Sequence, residues 1–192
     1  STDNSVDIIK KFDESDQRIK FISQNHKGAS AAWNLALGVS SGEYITFNPS
    51  DDYSDPKRIE KQVDYFLNND VDILGTHIKV IDKSGKEIPH GKLYYNRNID
   101  LNKVENWIWN VYLHGPSVMF KKELIAELGY FDENMISSDW LFWIKCLVNS
   151  KKFSVLEEEL CCWRKHGKNL SENNNVRKDS TFFEYLFISS VW

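Results

Sequence analysis

The segment YITFNPSDDYSDP, residues 44 to 56, sets two adjacent carboxylates, Asp51 and Asp52, just past an apolar run, with Asp55 following before a proline. A hard divalent cation that carries phosphates takes one or two carboxylates and keeps several waters, and a short acidic motif at a strand end can supply them. The same residue types form turns, so on their own the pair fits a turn as well as a metal site. Asp55-Pro56 reads more simply, as a helix cap with proline at the first helical position. Asp139, in SSDWLFWIKCL, heads an apolar helical run, where an aspartate is ordinarily a cap. In CCWRKHG, His166 offers an imidazole that ligates metal when neutral and pairs with phosphate when charged, and Arg164 offers a guanidinium suited to phosphate. An exposed basic loop is the plain alternative for both.

These residues need elements to hold them. Residues 5 to 12 carry Val6, Ile9 and Phe12 at helical spacing, with Asp3 or Ser5 as cap. IKFISQ, residues 19 to 24, reads as a strand, and GASAAWNLALGVSSGE as a helix closed by Gly42. Residues 44 to 48 form the next strand. The helix after Asp55 should bury Ile59, Val63, Phe66 and Leu67. VDILGTHIKVID is extended and leads to a turn at DKSGKE, while residues 83 to 115 divide between a helix and loop. SVMF reads as a strand, KKELIAELG as a short helix ending at Gly129, SDWLFWIKCLVNS as a helix from about Ser138, and FSVLEEELCCWRKH as a strand. A βα alternation of this kind predicts an α/β fold with a parallel sheet. In an open sheet of that class, ligands bind at the carboxyl ends of the strands, where Asp51 and Asp52 fall.

Composition narrows the function. The 192 residues hold 24 basic and 28 acidic side chains, for a net charge of −4, interleaved with no basic stripe that would suit a nucleic acid. An anionic ligand must therefore be met locally. With 41% hydrophobic and 14% aromatic residues there is ample material for a core. Cys146, Cys161 and Cys162 form neither a paired framework nor a zinc motif, which suits a reducing, cytoplasmic setting. No run approaches the roughly 20 apolar residues that span a bilayer. TFFEYLFISSVW, at the C-terminal end, suits the first turns of a core helix better than an interfacial amphipathic segment.

Six stretches, taken in order, resemble glycosyltransferase family 2: STDNS, NHKGASAAWNLAL, YITFNPSDDY, GPSVMFKKELIAELGYFDE, ISSDWLFWIKCL and CCWRKHGKNLS. The resemblance implies a GT-A type, Rossmann-like α/β fold, with a mostly parallel sheet flanked by helices and its first strand missing from this chain. One domain would span 1–192, with a nucleotide-sugar half at 1–82, an acceptor half at 83–171 and the start of a C-terminal helix at 172–192. It implies Asp51 and His166 as ligands of Mn2+ or Mg2+, Asp139 as the general base, and Asp3, Asn34, Asp52 and Arg164 on the nucleotide-sugar side. A sugar would pass with inversion from a nucleotide diphosphate, UDP above others, to a glycan or lipid-linked hydroxyl. The setting would be cytoplasmic, at the inner face of the membrane, with peripheral association and no nucleic-acid partner.

Three positions depart from the family pattern. Pro49 replaces the first aspartate of the acidic motif, Trp33 stands where an arginine is common, and Ser138 where a glutamate often precedes the base. The alternative is accordingly a nucleotide-sugar or glycan-binding domain without turnover. A phosphoester hydrolase using Asp51, Asp52 and His166 is a remoter third. Tryptophans 107, 109, 140 and 143 offer faces for sugar stacking, although Trp140 and Trp143 at helical spacing read as core; His114 and Ser117 are expected on the acceptor side.

Overall fold

The computed structural model describes residues 3–89, 99–107, 113–135, 137–167 and 169. Its helices are α1 (Ser5–Ser15), α2 (Ala29–Val39), α3 (Arg58–Asn68), α4 (Val104–Trp107), α5 (Glu123–Leu128) and α6 (Ser138–Val148). The strands are β1 (Tyr44–Thr46), β2 (Tyr53–Ser54), β3 (Ile73–Ile81), β4 (Met119–Lys121) and β5 (Phe153–Arg164), and a 3₁₀ turn covers Gly115–Ser117. Trp109 and the C-terminal segment 172–192 lie outside the described residues.

The five strands form one sheet in the order β1-β4-β3-β5-β2. Its longest ladder, β3 with β5, is parallel, running from Ile73 opposite Phe153 to Ile81 opposite Arg164. The short pairings β1–β4, β3–β4 and β2–β5 are antiparallel. The α/β class holds, with a mixed sheet. β3 reads as a near-continuous apolar run because both of its faces are covered, as a central strand requires.

Local signals at helix ends are obeyed where the chain alone decides them. Asp55 Oδ1 accepts the Lys57 N–H at 2.8 Å and its carbonyl accepts the Arg58 N–H, so Asp55 caps the entry to α3 as expected. α5 stops at Gly129, whose φ of +85° falls in the left-handed region that glycine tolerates. α2 ends at Ser40, two residues short of Gly42, because the Ser40 hydroxyl and N–H both close on the Leu37 carbonyl.

Where the expectations fail, the partner decides. Residues 19–28 form no strand, since a β-prone run becomes one only beside a ladder partner. The Phe21 N–H is met by the Asp13 carboxylate instead. Helix α1 has the expected apolar spacing, but none of its residues is buried, and Phe12 is 58% exposed. In α3 the inward face is Arg58, Gln62 and Phe66, one every four residues, while Ile59 and Leu67 turn outward. Periodicity of apolar residues misplaced that face because two of its three inward positions are polar.

The core is aromatic. Trp107, Trp143, Phe120 and Phe142 are fully buried, with Phe120 and Trp143 ring centres 5.5 Å apart at near-perpendicular planes. Trp107 and Trp140 donate their indole N–H groups to the Leu101 and Trp107 carbonyls, so Trp107 joins Trp140 and Trp143 as core and offers no face for sugar. All three cysteines are free, and burial pushes the Cys146 thiol up to about 12. Where β3 crosses this core it carries Gly75, and a Cβ built there would stand 2.4 Å from Cδ2 of buried Leu113. Leu113 is 2% exposed and must shift to admit a methyl group, so Gly75→Ala is expected to destabilise the fold by about 1–3 kcal/mol in a denaturant titration. An unchanged midpoint would mean that the Leu113 contact yields freely.

Candidate active site

The acidic motif lies in the turn between β1 and β2. The Asp52 N–H closes that turn on the Pro49 carbonyl at 3.2 Å, so Asp51 and Asp52 are turn residues in the plainest sense. Turn geometry and chemistry coincide here, because the turn aims both carboxylates at the carboxyl end of β5. There the Arg164 N–H donates to Asp52 Oδ1 at 2.8 Å and the Arg164 Nε to the Asp51 carbonyl at 3.0 Å. His166 Nε2 stands 2.9 Å from Asp51 Oδ2. Half-buried Asp52 has its pKa pushed up, chiefly by desolvation and then by neighbouring Asp51, with the Arg164 N–H opposing.

Asp51 and His166, 115 positions apart in the chain, are thus in direct contact. The 2.9 Å contact is a hydrogen bond, between a carboxylate oxygen and an imidazole nitrogen, two atom types that could also hold a divalent ion. Among the described residues no group of three or more His, Cys, Asp or Glu side chains gathers into a closed cage.

Arg164 was expected to meet phosphate, but its guanidinium is turned into the protein. Its Nη1 reaches toward the Asp82 and Lys83 carbonyls at 3.4 Å, and the group lies over the Tyr53 ring. It holds the acidic turn against the end of β3. Asn169 is a residue that sequence reasoning missed: it is 7% exposed, accepts the His166 N–H at 3.0 Å and donates to the Arg164 carbonyl at 2.7 Å. Nothing in a polar stretch such as GKNLSEN marks that asparagine over its neighbours.

Asp139 occupies the second position of α6, after Ser137 at the cap, so it is not the helix cap. Burial drives its pKa up, against the opposing pull of the Trp140 and Asp139 N–H groups at the helix start. A Cβ on Gly115 would lie 3.9 Å from Asp139 Oδ2, so the carboxylate faces the backbone of the 3₁₀ turn. The preceding residue, His114, packs at a tilt against Trp163 with ring centres 4.6 Å apart and planes 48° from parallel, and Cys161 Sγ donates to the Pro116 carbonyl at 3.2 Å. One continuous wall therefore runs from Asp139 through Gly115, His114 and Trp163 to Arg164 and the Asp51–His166 pair.

Two other expected residues serve elsewhere. Asp3 stands just before the Asn4 cap of α1, accepting the Ser5 N–H at 3.1 Å, and its carboxyl is held below the usual range by Ser5. Asn34 clamps the approach to α6: its amide nitrogen donates to the Phe131 carbonyl at 2.8 Å and to Glu133, and its oxygen accepts the Phe131 N–H at 3.0 Å. Ser30, one helical turn earlier, meets the Ser138 hydroxyl at 2.6 Å and the Met135 carbonyl at 3.2 Å. Trp33 packs between Phe47 and Phe131, as a residue limited to packing should. Helix α2 thereby fixes the segment that presents Asp139. Asn34→Ala leaves two groups of buried Phe131 without partners, and a loss of about 1–3 kcal/mol is expected in thermal or denaturant unfolding. A loss below a few tenths would show that the clamp is dispensable.

The fold thus sets an acidic turn at one strand end against a basic tail from another, on a mixed α/β sheet. The chain belongs to glycosyl transferase family 2, whose model matches residues 1–129. An uncharacterised glycosyltransferase of Methanocaldococcus jannaschii is 33% identical over 161 residues, covering 82% of this chain and 54% of that protein. Among solved structures, residues 1–349 of TarS from Staphylococcus aureus, in complex with UDP-GlcNAc, superpose with a TM-score of 0.74 at 22% identity, covering 98% of this chain and 54% of that one. The mannosyltransferase PcManGT from Pyrobaculum calidifontis, in complex with GDP-Man and Mn2+, gives 0.61 at 19%, covering 84% and 44%. The chain spans about half the length of these relatives.

Proposed function

We propose that this chain forms the donor site and catalytic base of a metal-dependent inverting glycosyltransferase, which moves a sugar from a nucleotide diphosphate to a hydroxyl of a glycan or lipid-linked acceptor. The observation that carries the reading is the contact between Asp51 and His166 across 115 positions. Asp139 takes the proton from the acceptor hydroxyl. The freed oxygen attacks the anomeric carbon from the face opposite the diphosphate, the bond to the phosphate oxygen breaks, and the configuration inverts. Asp51 and His166 would hold Mn2+ or Mg2+, which offsets charge gathering on the leaving diphosphate. Asp52, Arg164 and Asn169 keep those two ligands in place.

The named relatives support a nucleotide-sugar donor: UDP-GlcNAc in one structure and GDP-Man with Mn2+ in another. TarS is a poly(ribitol-phosphate) β-N-acetylglucosaminyltransferase, which favours a polymeric surface glycan as acceptor here. Action at the cytoplasmic face of a membrane belongs to the same proposal. Among the described residues no helix is long and apolar enough to cross a membrane.

The test is nucleotide release by the intact protein from a panel of UDP- and GDP-sugars, with and without Mn2+, and product stereochemistry by NMR. Metal-dependent release with an inverted product supports the enzyme. Donor binding with no turnover on any acceptor would favour the weakened binding domain, to which Pro49 points by supplying no carboxylate at its position. Phosphate release from simple phosphoesters would favour a hydrolase.

A further inference from the structure

We propose that Arg58 is a positioning residue for the acidic turn, gripping both of its ends from beneath; this rests on the donor-site reading above. Arg58 is 1% exposed, and its guanidinium is among the largest fully buried groups in the fold. All five of its N–H groups have acceptors, and all the acceptors are neutral. Nε donates to Gln62 Oε1 at 2.9 Å within α3. Nη1 donates to the Phe47 carbonyl at 3.2 Å, where the chain leaves β1 for the turn, and to Ser54 Oγ at 3.0 Å, where it leaves the turn through β2. Nη2 donates to Thr46 Oγ1 and to the Val118 carbonyl at 3.2 Å. Ser54 in turn donates to Asn48 Oδ1 at 3.0 Å, closing a second link across the turn's base.

A buried guanidinium stays charged and is costly to enclose. A packing role alone would be filled at lower cost by a leucine or methionine at this inward position of α3. The planar fork, by contrast, can hold two chain segments at once in fixed geometry. Those segments are residues 46–47 and residue 54, and the chain between them carries Asp51 and Asp52. Gln62 extends the grip, donating to the Leu74 and Ser117 carbonyls, so one buried polar node joins α3, the acidic turn, β3 and the 3₁₀ turn beside Asp139.

The inference is tested with Arg58→Lys, which keeps the charge and loses the fork, and with Ser54→Ala, which removes the exit-side link to Arg58 together with the Ser54–Asn48 link across the turn's base. Three quantities are measured on the intact protein: Mn2+ affinity in the presence of UDP, the amide resonances of Asp51, Asp52 and His166 without metal, and the melting temperature. Positioning predicts that Ser54→Ala moves those resonances and weakens Mn2+ binding several-fold with little change in melting, and that Arg58→Lys weakens it about tenfold or more. Unmoved resonances and unchanged Mn2+ affinity in both variants, with a lowered melting temperature in Arg58→Lys, would reduce Arg58 to a core residue and overturn the inference. If the wild type binds no Mn2+ but the resonances still move, Arg58 positions the turn and the metal reading is what fails.

Discussion

Replacing Asp139 with Asn is expected to lower glycosyl transfer by about 10²- to 10⁴-fold, the range that a positioned general base contributes. Donor affinity should be unaltered, because Asp139 lies at the Gly115 end of the wall and the proposed donor ligands lie at the other. The same variant should be more stable than the wild type. Burial raises the Asp139 pKa in the folded state, so the ionised form is disfavoured there relative to the unfolded chain. A group with a raised folded pKa contributes stability that is present below its unfolded pKa and lost as pH rises through the folded one, so above the unfolded pKa Asp139 is a burden that Asn removes. Rate and melting temperature should therefore move in opposite directions, the trade expected of a strained functional group. A variant that loses activity and melts lower would assign Asp139 to the structure instead. The rate of the wild type should also fall as pH drops through the raised pKa, and that acid limb should vanish in the residual activity of Asp139→Asn.

The second large effect concerns the other end of the wall. Asp51→Asn and His166→Ala should each abolish most of the Mn2+ stimulation of transfer, with a fall of about 10²- to 10⁴-fold, since a metal at a leaving diphosphate contributes several kcal/mol. Their effects should not add. The two side chains share one contact at 2.9 Å, so the double variant should be little worse than either single one. Full additivity, or stimulation by Mn2+ that survives in both variants, would mean that the pair is only a hydrogen bond between a turn and a tail.

Much of this arrangement is legible in the sequence, and the reason differs residue by residue. Asp55, Gly129 and the apolar run of β3 obey rules set within a few residues, and each stands where those rules put it. The order of the six motifs carried the family and hence the meeting of Asp51 with His166, which neither spacing nor composition implies. The buried polar residues are what stayed hidden. Arg58, Gln62, Ser30 and Asn169 look like surface because burial of a polar group is favourable only when every partner is in place, and those partners come from distant parts of the chain. Asn34 and Arg164 read from the sequence as nucleotide-side residues, and the contacts the structure gives them are with backbone: Asn34 with Phe131, Arg164 with the carbonyls of residues 51 and 82. Residues 19–24 show the opposite error, a strand pattern with no strand beside it among the described residues.

The pairing of β2 with β5 has a consequence for the order in which the molecule assembles. Residues 53 and 54 find their sheet partners only at 162 and 161, and Asp51 meets His166 from 115 positions away. On a growing chain the acidic turn is synthesised long before the strand that secures it, and closing a loop of that size is the slowest kind of contact to form. Local pairs such as the cap of α3 can settle first. The Asp51–His166 contact is therefore among the last parts of this unit to take shape, and a ribosome must release residues up to Asn169 before the turn that Arg58 grips can close against the end of β5.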